Sequence, residues 1–106
     1  MDDVIQQLRQ FRDERQWKQF HNPKDLALAL SIEASELLEV FLWKKPEDAD
    51  RQKVQEELAD VLTYALLIAD NYGLEPKQII LDKMKQNAAK YPVDKAKGNA
   101  TKYTEL

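Results

Sequence analysis

The sequence predicts an all-α fold, a bundle of four amphipathic helices, and three observations lead to it. Apolar residues recur at three- and four-residue spacing through most of the chain. The four prolines fall between these periodic stretches, and only two glycines occur. With 106 residues, 43% of them hydrophobic, the chain is long enough for one domain with a modest core.

The first helix is predicted over residues 2–17, where apolar side chains share one helical face and Asp2 and Asp3 lie at the positive end. A loop rich in large aromatic residues follows. Asn22 is typical of an N-cap and Pro23 of a first helical position, so a second helix is predicted from there to about Trp43.

A third helix is predicted from near Glu47 or Asp50 to Tyr72, with Gly73 as its C-terminal cap. The fourth begins at Pro76 and stops before Pro92. Residues 92–106 show no helical periodicity and are expected to be irregular. No internal repeat or linker divides the chain, so residues 1–106 are predicted to form one domain.

The second helix is apolar on two opposite sides. One side carries Leu26, Leu30, Leu37 and Val40, and the other carries Leu28, Ile32, Leu38 and Leu42. Because a small monomer covers one such side more easily than two, we expect a homo-oligomer, a dimer or a tetramer.

Two acidic motifs lie within predicted helices, Glu33-Ala34-Ser35-Glu36 and Glu57-Leu58-Ala59-Asp60. Three-residue spacing lets both acids of a pair project from one side of a helix. Glu33 falls inside the apolar stripe of its helix, where an unpaired carboxylate requires a proton, a cation or a basic partner. Most acids three or four apart are solvated surface, but two such pairs on neighbouring helices favour a cation site.

On the third helix, the predicted core stripe is Val54, Leu58, Val61, Leu62, Ala65, Ile68 and Tyr72. The second acidic pair and Tyr64 then lie along one flank of this stripe.

Carboxylate oxygens suit Mg²⁺, Mn²⁺ or Ca²⁺, whereas zinc sites recruit histidine or cysteine. The chain has no cysteine and one histidine, His21, and the motifs contain neither the histidines of a di-iron bundle nor the glycine of a calcium loop. Mg²⁺ usually bridges carboxylates to substrate phosphates, so the acids indicate phosphate chemistry.

Composition excludes other classes of function. The absence of cysteine excludes disulfides, and no stretch is apolar enough to span a membrane or to act as a signal peptide, so a cytoplasmic location is expected. The net charge of -3 argues against nucleic acid as a partner. Lysines nevertheless concentrate near the C-terminus, and this basic segment is either solvated surface or a cradle for an anionic substrate. They are Lys77, Lys83, Lys85, Lys90, Lys95, Lys97 and Lys102.

The acidic motifs and their surroundings resemble the all-α nucleoside triphosphate pyrophosphohydrolases of the MazG-like superfamily, most closely the dCTP pyrophosphatase branch. The resemblance extends over almost the whole chain. The segments that carry it are RQWKQFHNPKDLALAL, IEASELLEVFLWK, EELADVLTYALLIAD, KMKQNAAKYPV and KGNATKYTEL.

This resemblance implies Mg²⁺-dependent hydrolysis of a nucleoside triphosphate to the monophosphate and pyrophosphate, with Mn²⁺ as a possible substitute. It implies Glu33, Glu36, Glu57 and Asp60 as metal ligands, with Glu36, supported by Glu33, acting on the attacking water. The residues it implies for substrate binding are Trp17, His21, Trp43, Tyr64, Lys83, Asn87, Lys90 and Tyr91.

Two classes of function follow from these observations. The first is an enzyme that clears unwanted or surplus nucleotides from the pool. The second is a non-enzymatic helical protein that senses nucleotides or assembles with copies of itself, in which the acids hold a structural cation or are surface. Pyrophosphate release from a triphosphate separates the two.

Overall fold

The computed structural model describes residues 2–105, and within this range it is helical without strands. The prediction of an all-α fold is therefore confirmed. Five α-helices follow one another as α1 Asp2–Glu14, α2 Pro23–Glu39, α3 Arg51–Asn71, α4 Pro76–Lys90 and the single turn α5 Val93–Ala96. Three short 3-10 turns occur at Lys18–Phe20, Pro46–Asp48 and Tyr103–Glu105. The expectation of an irregular tail after residue 92 is thus wrong for α5 and for the last of these turns.

The described residues divide into two compact units, one ending at Leu74 and the other beginning at Glu75. In the first unit, α2 and α3 pack against each other, and α1 packs against α3. Its core contains Ile5, Leu67 and Leu26, the last only 2% exposed. The second unit contains α4, α5 and the last 3-10 turn. The single domain stays a prediction.

Helix α1 ends three residues earlier than the apolar spacing predicted. Gln16 adopts a left-handed conformation with φ of 54°. Its N–H donates to the carbonyl of Asp13 at 3.0 Å, and the Trp17 N–H donates to the carbonyl of Arg12 at 3.0 Å. This pair of hydrogen bonds is the Schellman cap of a helix terminus, in which glycine usually takes the left-handed position. Because glutamine stands there instead, the sequence carried no stop signal.

The start of α2 follows the predicted cap. The Asp25 N–H donates to Oδ1 of Asn22 at 2.9 Å, and Nδ2 of Asn22 donates to the Asp25 carboxylate at 2.6 Å. The predicted end near Trp43 is wrong, because regular helix stops at Glu39. The following residues form tight turns, and Trp43 has a left-handed φ of 59°. The direction of the Trp43 side chain therefore does not follow from helical spacing within α2.

Both ends of α3 follow the predicted signals. Asp50 caps its start by accepting a hydrogen bond from the Gln52 N–H at 3.0 Å. Gly73, with φ of 66°, closes its end, where the Leu74 N–H donates to the Ala69 carbonyl at 2.8 Å. This is again a Schellman cap, here with the glycine that the left-handed position favours.

The inward face of α3 is rotated from the predicted stripe. Four members of that stripe are exposed, namely Leu58, Leu62, Ala65 and Tyr72. Leu67 is buried instead, and Glu57 and Tyr64, assigned to the flank, are half-buried. Since α3 packs on both α1 and α2, its inward face is set by two neighbours and includes an acid, which apolar spacing alone does not reveal.

The second apolar side of α2 is more than half exposed in the single chain at Leu28, Ile32 and Leu38, and so is Leu42 in the turn that follows the helix. This is the side for which the sequence predicts a partner subunit. Within residues 2–105, no helix has the length and apolar character required to cross a membrane.

Candidate functional site

Three carboxylates from two helices converge in the first unit. Glu33 and Glu36, one turn apart on α2, and Glu57 on α3 each place an oxygen within 4.8 Å of the other two. We call these three residues the acidic cluster. The packing of α2 on α3 thus brings the two sequence motifs together as predicted, and the three-residue spacing turns both α2 acids toward Glu57.

The acidic cluster is electrostatically frustrated in the absence of a cation. Oε2 of Glu33 and Oε2 of Glu57 are both buried without a hydrogen-bond partner. A proton on Glu33 supplies a hydrogen bond with Glu36, and this bond, burial and the neighbouring negative charges raise the pKa of Glu33 to about 7. Burial, followed by the charge of Glu36, also raises the pKa of Glu57. Both carboxylates therefore lack the positive partner that their ionised forms require.

A hard divalent cation fits this arrangement. All the available ligand atoms are carboxylate oxygens, and two of them are buried without a donor. The ion pairs of the described arginines involve other acids, Asp13, Glu14 and Asp70. None of these ion pairs within residues 2–105 involves the acidic cluster, and a cation such as Mg²⁺ would offset its charge.

Asp60 lies next to the acidic cluster without belonging to it. Its side chain is exposed, and its charge contributes to the raised pKa of both Glu33 and Glu57. Together with Glu33 it lines a neighbouring cavity. Its role as a fourth ligand stays a prediction.

The aromatic cavity, as we name it, has a volume of about 240 Å³ and opens beside Glu33 and Asp60. Its other lining residues come from α1, α3 and the loop between α1 and α2. They are Leu8, Phe11, Arg12, Trp17, His21, Thr63, Tyr64 and Leu67. A lining that combines acids with aromatic side chains suits a ligand that has a planar group and, through a bound cation, an anionic group.

Local contacts fix the walls of the aromatic cavity. The cap of α1 holds the backbone of Trp17, whose ring meets Phe11 edge-on with centroids 5.9 Å apart. The backbone carbonyl of His21 accepts a hydrogen bond from Nδ2 of Asn71 at 2.8 Å. Nδ1 of His21 is buried and has no partner, and burial lowers the pKa of this imidazole, with the charge of Arg12 adding to the effect. His21 is therefore neutral at pH 7.

A second cavity, which we call the lysine groove, also borders the acidic cluster. It has a volume of about 410 Å³ and is lined by Glu36, Glu39, Val40, Lys44, Lys53 and Glu57. Glu33 faces the aromatic cavity, while Glu36 and Glu57 face the lysine groove. The acidic cluster thus borders both an aromatic cavity and a cavity lined by two cationic side chains.

A family model described as the MazG-like family matches residues 28–106. The chain belongs to the MazG-like family. The cow protein dCTP pyrophosphatase 1, from Bos taurus, is 39% identical over 114 aligned positions, which cover 100% of this chain and 68% of the relative. The Homo sapiens protein of the same name is 37% identical, with 100% and 67% covered. A crystal structure of a pyrophosphatase from Archaeoglobus fulgidus is similar at 40% identity and a TM-score of 0.81, covering 87% of this chain and 92% of that one.

Of the eight substrate-binding residues predicted for this MazG-like protein, three line the aromatic cavity. Trp17, His21 and Tyr64 line it together. Trp43 does not belong to its lining and is 94% exposed. Its contact with substrate stays a prediction.

The remaining predicted residues lie in the second unit and are exposed there, namely Lys83, Asn87, Lys90 and Tyr91. Local contacts order the end of α4. The rings of Tyr91 and Tyr103 meet edge-on at 6.0 Å, and Nζ of Lys90 lies 4.8 Å from the centre of the Tyr103 ring. The roles of these four residues in binding stay predictions.

Sequence reasoning missed three charged residues of this MazG-like site. Lys44 and Lys53 line the lysine groove, and Arg12 lines the aromatic cavity. The signal for Arg12 was present, because it follows Ile5 and Leu8 on the inward side of α1, a charge within an apolar stripe like Glu33. The two lysines come from different elements, and no local pattern connects them.

Proposed function

We propose that this MazG-like protein hydrolyses dCTP or a closely related deoxynucleoside triphosphate to the monophosphate and pyrophosphate, as a nucleotide-pool house-cleaning enzyme. One observation carries the proposal, namely that the acidic cluster contributes lining residues both to an aromatic cavity and to a lysine groove. The family and the two relatives named dCTP pyrophosphatase 1 support a nucleoside triphosphate pyrophosphohydrolase.

The cofactor in this proposal is Mg²⁺, with Mn²⁺ as a substitute, held by the acidic cluster and by Asp60 as a fourth ligand. When bound, the cation offsets negative charge on the phosphates and on the pyrophosphate leaving group. The buried, partnerless oxygens of Glu33 and Glu57 support this assignment, because a cation gives each ionised carboxylate the positive partner it lacks.

The substrate is arranged across the acidic cluster. The base enters the aromatic cavity and stacks on Trp17, with the hydroxyl of Tyr64 available to the sugar or the α-phosphate. The β- and γ-phosphates extend into the lysine groove, where Lys44 and Lys53 offset their charge. This places the α-phosphorus at the acidic cluster.

In the reaction, the oxygen of a water molecule bonds to the α-phosphorus, and the bond from that phosphorus to the bridging oxygen breaks, releasing pyrophosphate. Glu36 orients this water and accepts its proton. Glu36 suits this role because its side chain is exposed at the edge of the acidic cluster, where solvent can reach it. Glu33 assists by sharing a hydrogen bond with Glu36, which depends on the protonation of the pair.

Further contacts are proposed from the family resemblance for Trp43 with the base, and for Lys83, Asn87, Lys90 and Tyr91 with the phosphates and the base. The positive charge of the two lysines supports a contact with phosphate. A homo-oligomer is proposed as the active form, because the second apolar side of α2 is more than half exposed in the single chain.

Pyrophosphate release from a panel of nucleoside triphosphates with Mg²⁺ tests the function. We expect release from dCTP in the wild type and its loss in Glu57→Gln, which keeps the shape of the side chain and removes the charge. The matched control is Glu56→Gln on α3, an exposed acid outside the acidic cluster and outside the lining of both cavities, which should retain most activity. A folded wild type that releases no pyrophosphate from any triphosphate would contradict the proposal and favour the non-enzymatic alternative.

A further inference from the structure

We propose that Arg12 selects the base, donating hydrogen bonds from its guanidinium group to two adjacent acceptors, N3 and O2 of a cytosine. The inference rests on the proposed function and deepens it, because it assigns base selection to a residue that is neither an acid of the acidic cluster nor an aromatic side chain of the cavity. It is carried by the burial of Arg12, its unused donors and its place in the lining of the aromatic cavity.

Arg12 is a buried charge, only 8% exposed. Burying a guanidinium is costly unless its charge is offset. Here Nη1 donates to Asp70 at 3.3 Å and Nε donates to Asp13 at 2.9 Å. Asp70 stays ionised because its hydrogen bond with Arg9, and then the bond with Arg12, lower the pKa of its carboxyl. The two carboxylates therefore hold the guanidinium group in place.

These two hydrogen bonds leave donors unused on a residue that lines the aromatic cavity. Neither bond involves Nη2, and each terminal nitrogen of an arginine carries two N–H groups. The group is planar and has no acceptor, so it matches a ligand edge with two neighbouring acceptors. Among residues 2–105, Arg12 is also the one polar or charged residue that is fully buried.

His21 supplies the complementary group. Its Nδ1 is buried without a partner, and His21 lines the same cavity as Arg12. As a neutral imidazole with its proton on Nε2, it accepts a hydrogen bond at Nδ1. Arg12 and His21 together thus offer donors and one acceptor, the pattern that complements O2, N3 and the 4-amino group of cytosine. Uracil presents an N–H at position 3, which would face the guanidinium donor to donor.

A purely structural role for Arg12 is the main alternative, because its bond to Asp70 joins α1 to α3. Arg9 separates the two roles. It also pairs with Asp70, with Nε 2.7 Å from Oδ1, but it is exposed and does not belong to the lining of the aromatic cavity. Loss of Arg9 therefore removes an ion pair to the same carboxylate without removing a donor from the cavity.

The experiment compares kcat/KM for dCTP and dUTP in the wild type, Arg12→Met and Arg9→Met. We expect a dCTP preference in the wild type that falls about tenfold or more in Arg12→Met, within the discrimination that a bidentate arginine gives between bases. Arg9→Met should leave the ratio within about twofold of the wild type, because it loses only an exposed pair. Arg12→Lys, which keeps a charge beside Asp70 but lacks the planar fork, should lose selectivity while keeping a melting temperature near that of the wild type.

Three results would overturn the inference while leaving the proposed function intact. One is a wild type that hydrolyses dUTP as efficiently as dCTP, which requires no variant to fold. The others are an unchanged ratio in Arg12→Met and equal ratio losses in the Arg9 and Arg12 variants. If the wild type releases no pyrophosphate from any triphosphate, the proposed function fails first. The affinities of the wild type for dCMP and dUMP, measured by tryptophan fluorescence, then test the role of Arg12. Equal binding of the two nucleotides, or no binding of either, would overturn that role.

Discussion

Replacing Leu38 with Glu places a charge on the exposed apolar side of α2. Leu28, Ile32, Leu38 and Leu42 are 53%, 59%, 71% and 54% exposed in the single chain. Since full burial of one such side chain contributes about 1.5–3 kcal/mol, covering all four would contribute about 4–7 kcal/mol per subunit. Two subunits of a symmetric dimer contribute together, against an association cost of roughly 4–15 kcal/mol. The free energy gained by burial is therefore similar to the cost of association, so the loss of one apolar side chain can shift the equilibrium between monomer and dimer.

The loss of Leu38 alone removes about 1–2 kcal/mol of burial free energy from each subunit. Because the interface is symmetric, the dimer loses this amount twice. The dissociation constant should therefore rise at least about 30- to 1,000-fold, and more because the new carboxylate is desolvated. Sedimentation velocity at low micromolar concentration should show an oligomer for the wild type and a 12.4 kDa monomer for Leu38→Glu. Gln6→Glu, which adds the same charge at an exposed polar position on α1, should remain an oligomer. A wild type that sediments as a monomer and is fully active would refute the reasoning.

Three further predictions concern the site. Chelation should abolish the release of pyrophosphate, as measured by pyrophosphate detection. Adding back Mg²⁺ or Mn²⁺ should restore the release, whereas zinc should not. Full activity in excess chelator would contradict a cation site. Between pH 4.5 and about 7, folded Glu33 keeps a proton that the unfolded chain has lost, so the metal-free protein should lose stability as pH rises through this window. Urea unfolding in chelator should show this fall in stability with pH in the wild type and a smaller fall in Glu33→Gln, a variant that should stay folded but inactive. An identical pH dependence in both proteins would exclude Glu33 as its cause. Trp17→Ala should weaken substrate binding by about 1–3 kcal/mol, seen as a raised KM with a smaller change in kcat, and equal losses on tripolyphosphate would mean that Trp17 only packs.

The parts of the fold that the sequence predicted are those determined by local chemistry. The Asn22 cap, the start of α3 near Asp50 and the Gly73 terminus each depend on residues within a few positions of one another. The pairing of Glu33 with Glu36 depends on helical spacing, and the anomaly of an acid within an apolar stripe pointed to the site. Local signals failed where a glutamine took the left-handed position that ends α1.

The rest depends on contacts between elements, which spacing does not determine. The face that α3 turns inward is set by α1 and α2 together, so an apolar stripe assigned from α3 alone was misplaced. The aromatic cavity likewise exists only because α1, the following loop and α3 meet there. Arg12 shows the limit clearly, since its partner Asp70 lies 58 positions away in the sequence.

The loop from Gln16 to Asn22 is fixed at both ends and at His21 by hydrogen bonds within the protein itself. Its first turn is tied to the carbonyl of Arg12, its last residue caps α2, and the carbonyl of His21 is bound by Asn71. A wall that is already ordered loses little conformational entropy when a base docks against it. Affinity in this cavity is thus supported from the C-terminal end of α3, where Asn71 fixes the position of His21 from outside the cavity.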